Sequence, residues 1–238
     1  MTIRLLTLSA TVLFATLAAA EARTYSAQQY DSRIEVLRGG TIRVTETVRL
    51  RFDEGTFSQF YRVIPTRLTD GVEIVSASMD GSVMAAGDGP GHVETSGSSR
   101  VRVTWRFAPV SNSSHTFALT YLVRGTVRQE DGADVFAWRI LPTEHSYRIL
   151  ASTIEILLPA QPVTPPKIDA RRVGNSTVDV DGSRVRIDAA AIGTNGWLEA
   201  WVRLPGGSTI DAPPGWQQRK HDDSHSNRVS RNRRASVI

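Results

Sequence analysis

Glu46 stands in a row that is otherwise apolar. In Thr41–Phe52 the even positions read Ile42, Val44, Glu46, Val48, Leu50 and Phe52, while the odd ones are all Thr or Arg. This is the period-two alternation of a half-buried strand. It turns the Glu46 carboxylate toward the face of Val44 and Val48, where an unpaired charge costs several kcal/mol. The carboxylate therefore requires an opposite charge or an opening to water. Arg62 is the matching cation, set inside the short apolar run Phe60-Tyr61-Arg62-Val63-Ile64. A Glu46–Arg62 ion pair is expected, tying this strand to the segment that leads into Pro65. Its first role is structural; a binding or catalytic carboxylate is the alternative.

Trp197, Glu199, Trp201 and Arg203 form a second constellation. They fall on one side of a strand whose other side carries Leu198, Ala200, Val202 and Leu204. The aliphatic side reads as core. The indole side is a candidate binding surface, because spaced aromatic rings flanked by polar groups stack on sugar rings or on a partner protein. Cover by another segment is the competing reading.

The remaining catalytic inventory is thin. There is no cysteine, so disulfides, thiolate nucleophiles, Cys-type zinc sites and iron–sulfur clusters are excluded. No G-x-S-x-G, H-E-x-x-H or Gly-rich phosphate loop occurs, and no cofactor or catalytic metal is expected. Glu144-His145 is a loop cluster without a nucleophile elbow. His221 and His225 have the spacing of a helical metal clamp, but in a polar tail where only adventitious binding is expected. Asp179-Val-Asp181-Gly182 begins like a calcium loop but lacks the later ligands, and a hairpin turn explains it better.

The elements that would position these residues are strands. Alternation also marks residues 33–37, 100–107, 117–123 and 154–158, with further strands expected at 72–79, 134–140, 177–180, 184–188 and 197–204. Arg38-Gly39-Gly40 suits a tight hairpin. Asp70-Gly71, Asp80-Gly81, Asp131-Gly132, Asp181-Gly182 and Asn195-Gly196 supply the positive φ that turns need. Ala189–Ile192 is the one stretch that suggests a helical turn. Ser82–Ser99 is expected to be a long flexible loop and Gln161–Pro166 a stiff connector. Many short strands with no long helix predict an all-β fold, an antiparallel two-sheet sandwich spanning residues 23–205.

The two ends differ from this middle. Arg4 precedes a charge-free run from Leu5 to Ala20, which ends in Ala18-Ala19-Ala20-Glu21-Ala22. That is a secretory signal over residues 1–22, too short to span a bilayer core, with cleavage after Ala20 or Ala22. From Gly206 to Ile238 a polar, Ser/Asn/Arg-rich tail is expected to be disordered. The formal charge of +4 resides there: six basic residues from Arg219 onward stand against Asp222 and Asp223, and the rest of the chain is neutral. Nucleic-acid binding thus has no support in the domain. The tail is left with a weak, salt-dependent contact to an anionic membrane surface.

Three stretches resemble the N-terminal domain of domain-of-unknown-function family 2207, bacterial predicted membrane proteins. They are Gly40–Phe52, with its fixed Glu46; Phe60-Tyr-Arg-Val-Ile-Pro65; and Tyr121 to Pro159, with Val127, Trp138 and Leu158-Pro159 in the family's order. Gln59 stands where the family usually has Gly. The resemblance implies an extracytoplasmic β domain of unknown activity, in a family that normally continues into transmembrane helices where this chain has a basic tail. The expected function is an exported binding or assembly module of the cell envelope, not an enzyme. Its partner would be an envelope protein or a polysaccharide, recognised by loops at one end of the sheets. The alternatives are an envelope hydrolase built on Glu46, or on Glu144 with His145, and a truncated remnant of a membrane protein.

Overall fold

The computed structural model describes residues 23–223; the expected signal segment and residues 224–238 lie outside the described residues. The chain is built almost wholly of strands. The large sheet runs β14 (Asn175–Asp181), β15 (Arg184–Ile192), β12 (Arg148–Leu157), β1 (Thr24–Val36), β2 (Ile42–Glu54), β9 (Ser113–Arg124), β4 (Gly71–Met79) and β5 (Ser82–Val83). A second sheet runs β3 (Phe57–Pro65), β8 (Arg100–Val110), β7 (His92–Ser96) and β6 (Ala85–Ala86). A third runs β10 (Val127–Glu130), β11 (Ala133–Arg139), β16 (Trp197–Pro205) and β13 (Lys167–Arg171).

The all-β expectation stands, with two refinements. The strands form three hydrogen-bonded sheets instead of two, and the pairs β1–β12 and β6–β7 are parallel. Parallel neighbours need a long crossover, and between β1 and β12 the chain builds most of the rest of the molecule, a pairing that alternation cannot reveal. Residues 82–99, expected to be a loop, contribute β5, β6 and β7, and Ala189–Ile192 closes β15.

The strand periodicity becomes layering. Ile42, Val44, Val48, Leu50 and Phe52 of β2 are buried, as are Phe117, Leu119, Tyr121 and Val123 of β9. They meet the second sheet through rings: Phe60 and Phe107 lie 4.8 Å and 5.5 Å from Phe117, and Trp105 approaches it edge-on at 5.8 Å. One apolar cluster runs through all three sheets. The Arg38-Gly39-Gly40 turn joins β1 to β2 as expected. Gly39 and Gly40 both have positive φ, and Leu37 N–H donates to Thr41 O at 2.8 Å.

The tail boundary at residue 206 is corrected. Residues 208–210 and 213–217 pack against the sandwich, and 215–223 form a helix, α1. Asp134, wholly buried, accepts backbone N–H bonds from Thr209 at 2.7 Å and Ile210 at 3.1 Å, and Ile210 is itself buried. Gly39 N–H donates to Thr209 O at 2.8 Å, and a Cβ at Gly40 would lie 2.7 Å from Ile210 Cγ2. The Asp70 carboxylate then accepts Gly215 N–H at 2.7 Å and Trp216 N–H at 2.8 Å, filling donors that the start of α1 leaves open. Low average hydrophobicity concealed this segment, because a few anchors, Ile210 and Trp216 among them, do the packing.

A chain ended after Pro205 should lose about 3–5 kcal/mol of stability, since Asp134 loses the backbone donors of Thr209 and Ile210 and Ile210 no longer covers the core. Thermal and urea denaturation measure this; an unchanged melting temperature would show that residues 206–223 add nothing to the fold.

Candidate functional site

Two groups of side chains concentrate the polar chemistry, one inside the sandwich and one on the outer face of the third sheet. Inside, β2 aims Glu46 at β3, and the structure brings Glu46 and Arg62 together as a bidentate pair. Arg62 Nε donates to Glu46 Oε2 and Nη2 to Oε1, each at 2.8 Å. Tyr30 from β1 donates to Oε2 at 2.6 Å and Tyr121 from β9 to Oε1 at 2.7 Å. Four donors occupy the roughly four lone-pair positions of the carboxylate. Arg62 also donates to the Val63 carbonyl. Glu46 is 2% exposed and Arg62 4%.

Burial alone would raise the Glu46 carboxyl pKa. The Arg62 charge and the bonds from Arg62, Tyr30 and Tyr121 outweigh it, and the group is held below the usual carboxylate range. Burial is also the largest influence on Tyr30 and Tyr121, and it drives both phenols well above their ordinary value. All four groups thus keep one protonation state at neutral pH. Nothing of the carboxylate is left to meet a substrate. The Glu46 hydrolase alternative therefore has no accessible base.

Glu144 and His145 do not converge. Glu144 pairs with Arg100 near the surface. His145 is buried, with Nδ1 2.7 Å from Tyr147 O and Nε2 2.8 Å from Gly196 O. Both ring nitrogens are occupied by backbone, so this imidazole pins the 145–147 turn to the approach to β16.

On the third sheet, Trp197, Glu199, Trp201 and Arg203 share the outer face of β16, all half-buried. The cover comes from neighbouring strands. The guanidinium of Arg139 on β11 lies 4.4 Å from the Trp197 ring and bonds Glu199 at 2.7 Å. Arg128 on β10 lies 4.7 Å from the Trp201 ring, and Arg203 donates to Glu130 O at 3.2 Å. The free, spaced indoles expected from alternation are thus an Arg–Trp ladder, each ring having a cation near its face.

Beside this ladder α1 returns across the sheet. Trp216 Nε1–H donates to Gly125 O at 2.7 Å, and Gln217 exchanges two hydrogen bonds with the Gln129 backbone, at 3.1 Å and 2.7 Å. Between α1 and β16 runs a groove of about 530 Å³ lined by Trp201, Trp216, Leu68, Arg128 and Lys220. A hollow of about 250 Å³ shares the first four of these and adds Arg67. Leu68, in a turn at positive φ, is 46% exposed at the rim. Alternation found Trp201 but missed Trp216, Leu68 and Arg128. An indole directly after Pro213-Pro214-Gly215 was the available sign that the tail returns to the domain.

Fold and site define an all-β domain locked by a buried carboxylate–guanidinium pair, with an aromatic groove on the outer face of the third sheet. The chain belongs to the family of predicted membrane proteins of domain of unknown function 2207, whose N-terminal domain matches residues 26–204. No curated protein matches. Among solved structures, a proposed nutrient-binding protein of Legionella pneumophila is similar, with a TM-score of 0.51 at 8% identity over 74% of this chain and 66% of that one. This likeness shows the fold alone. An M1 zinc metallopeptidase from Deinococcus radiodurans aligns at a TM-score of 0.43 and 16% identity, over 77% of this chain and 43% of that one. Yeast LTA4 hydrolase gives 0.46 and 11% over 76% and 30%. The chain spans less than half the length of these two enzymes. Among the described residues no helix is long and apolar enough to cross a membrane.

Removing one partner of the buried pair, by Glu46→Gln or Arg62→Met, should cost about 3–5 kcal/mol, and the double variant should cost less than the sum. Urea denaturation of the four proteins closes that cycle, and additive losses would mean the two groups are not coupled. The pair also sets an acid limit. Because the Glu46 pKa is lowered on folding, the unfolded chain takes up its proton first; the stabilisation is complete well above about pH 4.3 and is lost as pH falls through the lowered folded value. Glu46→Gln should flatten the stability–pH curve below about pH 4.5; a curve as steep as that of the unsubstituted protein counts against this assignment.

Proposed function

We propose that the chain is an extracytoplasmic binding or assembly module of the cell envelope, not an enzyme built on Glu46 or Glu144–His145, and that it holds its partner in the groove between β16 and α1. The observation that carries this reading is the groove itself: two indoles and an exposed leucine line a cleft of about 530 Å³ at a structured rim. Apolar walls with a few polar groups at the edge are what a docking cleft needs. The charge-free run from Leu5 to Ala20 and membership of a predicted membrane protein family support the envelope location.

A protein partner fits better than a polysaccharide. Sugar stacking uses broad, open ring faces, and here guanidinium groups sit near the faces of Trp197 and Trp201. An apolar side chain entering beside Leu68 and Trp216 buries surface worth about 1.5–3 kcal/mol for a leucine or phenylalanine. Arg67 at the rim favours an acidic residue flanking that anchor, while Arg128 is already paired with Glu130 of the same lining.

A photo-crosslinking residue placed at Leu68 in cells should give one discrete protein adduct, and Trp201→Ala should weaken it at least fivefold. Titration with soluble envelope glycan fragments should leave the tryptophan fluorescence unchanged. A glycan-induced fluorescence change overturns the choice of partner; the absence of any discrete adduct overturns the groove as the binding site.

A further inference from the structure

A cluster outside the groove has a geometry that the sequence did not announce. Ser113 and His115 are two residues apart on β9, so their side chains leave the same face. Ser113 Oγ lies 3.1 Å from His115 Nε2, and His115 Nδ1 lies 2.7 Å from Asp80 Oδ2. Asp80 follows β4 in the Asp80-Gly81 turn, at positive φ. It is clamped there: its N–H donates to Thr116 O at 2.7 Å, and Thr116 N–H donates to Asp80 Oδ1 at 2.8 Å. One carboxylate oxygen is thus committed to backbone and the other faces the imidazole.

The protons in this chain follow from its partners. Burial alone would raise the Asp80 pKa, but the bonds from His115 and the Thr116 backbone outweigh it, so the carboxylate is ionised and only accepts. In the neutral imidazole it favours the tautomer with the proton on Nδ1, which leaves the Nε2 lone pair toward Ser113 and makes the hydroxyl the donor. Nucleophile, base and orienting acid stand in hydrogen-bond order, the arrangement that activates serine on unrelated folds. His115 is 19% and Asp80 48% exposed, so small molecules reach the site. The buried Phe52 ring, centred 6.1 Å from the imidazole, backs it from the core side.

We propose that Ser113, His115 and Asp80 form a nucleophilic relay that hydrolyses small, activated carboxylic esters. In acylation Ser113 Oγ bonds to the ester carbonyl carbon while its proton passes to His115 Nε2. The bond to the leaving oxygen then breaks, and Nε2 returns that proton to the departing alcohol. Water attacks the acyl-serine, giving a proton to Nε2; the acyl–Oγ bond breaks, the acid leaves and Ser113 regains its proton. Ser113 and His115 are the catalytic residues and Asp80 is a positioning residue. This activity is independent of the partner groove, with which it shares no residue.

The probes are p-nitrophenyl acetate and a fluorophosphonate, whose fluoride an activated serine displaces, both applied to the full-length protein. Peptide mapping should place the phosphonyl adduct on Ser113. Ser113→Ala should abolish the adduct and return ester hydrolysis to the buffer rate, whereas Ser114→Ala, on the opposite face, should change neither. His115→Gln should slow both reactions about 100-fold. Asp80→Asn should lower kcat at least tenfold with KM little changed, and Asp80→Glu should recover part of it. No adduct on Ser113, labelling spread over several serines, or rates unaltered in folded His115→Gln overturns the proposal. Should His115→Gln fail to fold, mapping of the unsubstituted protein decides alone.

Discussion

The Glu46–Arg62 pair is the constraint around which the sandwich is assembled. A guanidinium and a carboxylate taken out of water are tolerated only when geometry and extra hydrogen bonds repay the desolvation of both ions. Here the repayment comes from four strands at once, with Glu46 on β2, Arg62 on β3, Tyr30 on β1 and Tyr121 on β9. A slip of β2 by one residue would turn Glu46 and its apolar row to solvent, bring Thr45 and Thr47 inward, and leave Arg62 and both phenols without the carboxylate. The pair therefore does more for register and for the relative placement of two sheets than for net stability. Apolar residues of similar volume would hold the layers together equally well but would not penalise the wrong alignment.

Carboxylates also fix the other end of the chain, one buried and one partly exposed. Asp134 collects the backbone donors of Thr209 and Ile210, and Asp70 those that open α1. Each acid converts an otherwise polar stretch into a fixed part of the surface, because backbone N–H groups aimed at a carboxylate are charge-assisted and directional. The groove exists only through these clamps. Without α1 held by Asp70 and Trp216, Trp201 would lie on an open sheet face.

Some of this was legible in the residue order and some was not. Period-two alternation placed Glu46 inward, because side-chain direction in a strand is set by parity alone, and Arg62 inside its short apolar run was the matching cation. The Asn-Gly and Asp-Gly turns were legible for an equally local reason. The parallel β1–β12 pairing was not, since strand order depends on which exposed edges meet late in the chain's path. The Arg–Trp ladder escaped too: that Arg128 and Arg139 rest on Trp201 and Trp197 follows from the β10–β11 and β11–β16 registers, not from any spacing. For the same reason Ser113 and His115 carried no meaning until Asp80 arrived beside them across the β4–β9 ladder.

The sequence by itself determined the class of fold, the inward carboxylate and its partner, and the concentration of positive charge at the C-terminal end. These are properties of local parity, composition and the cost of burying charge, which act wherever the chain goes. The tertiary structure alone decided that the third sheet is hydrogen-bonded separately from the other two, that residues 206–223 belong to the domain, and where cleft and nucleophile lie. Those outcomes depend on contacts between residues tens of positions apart, whose energies arise only when strands and turns have been brought together.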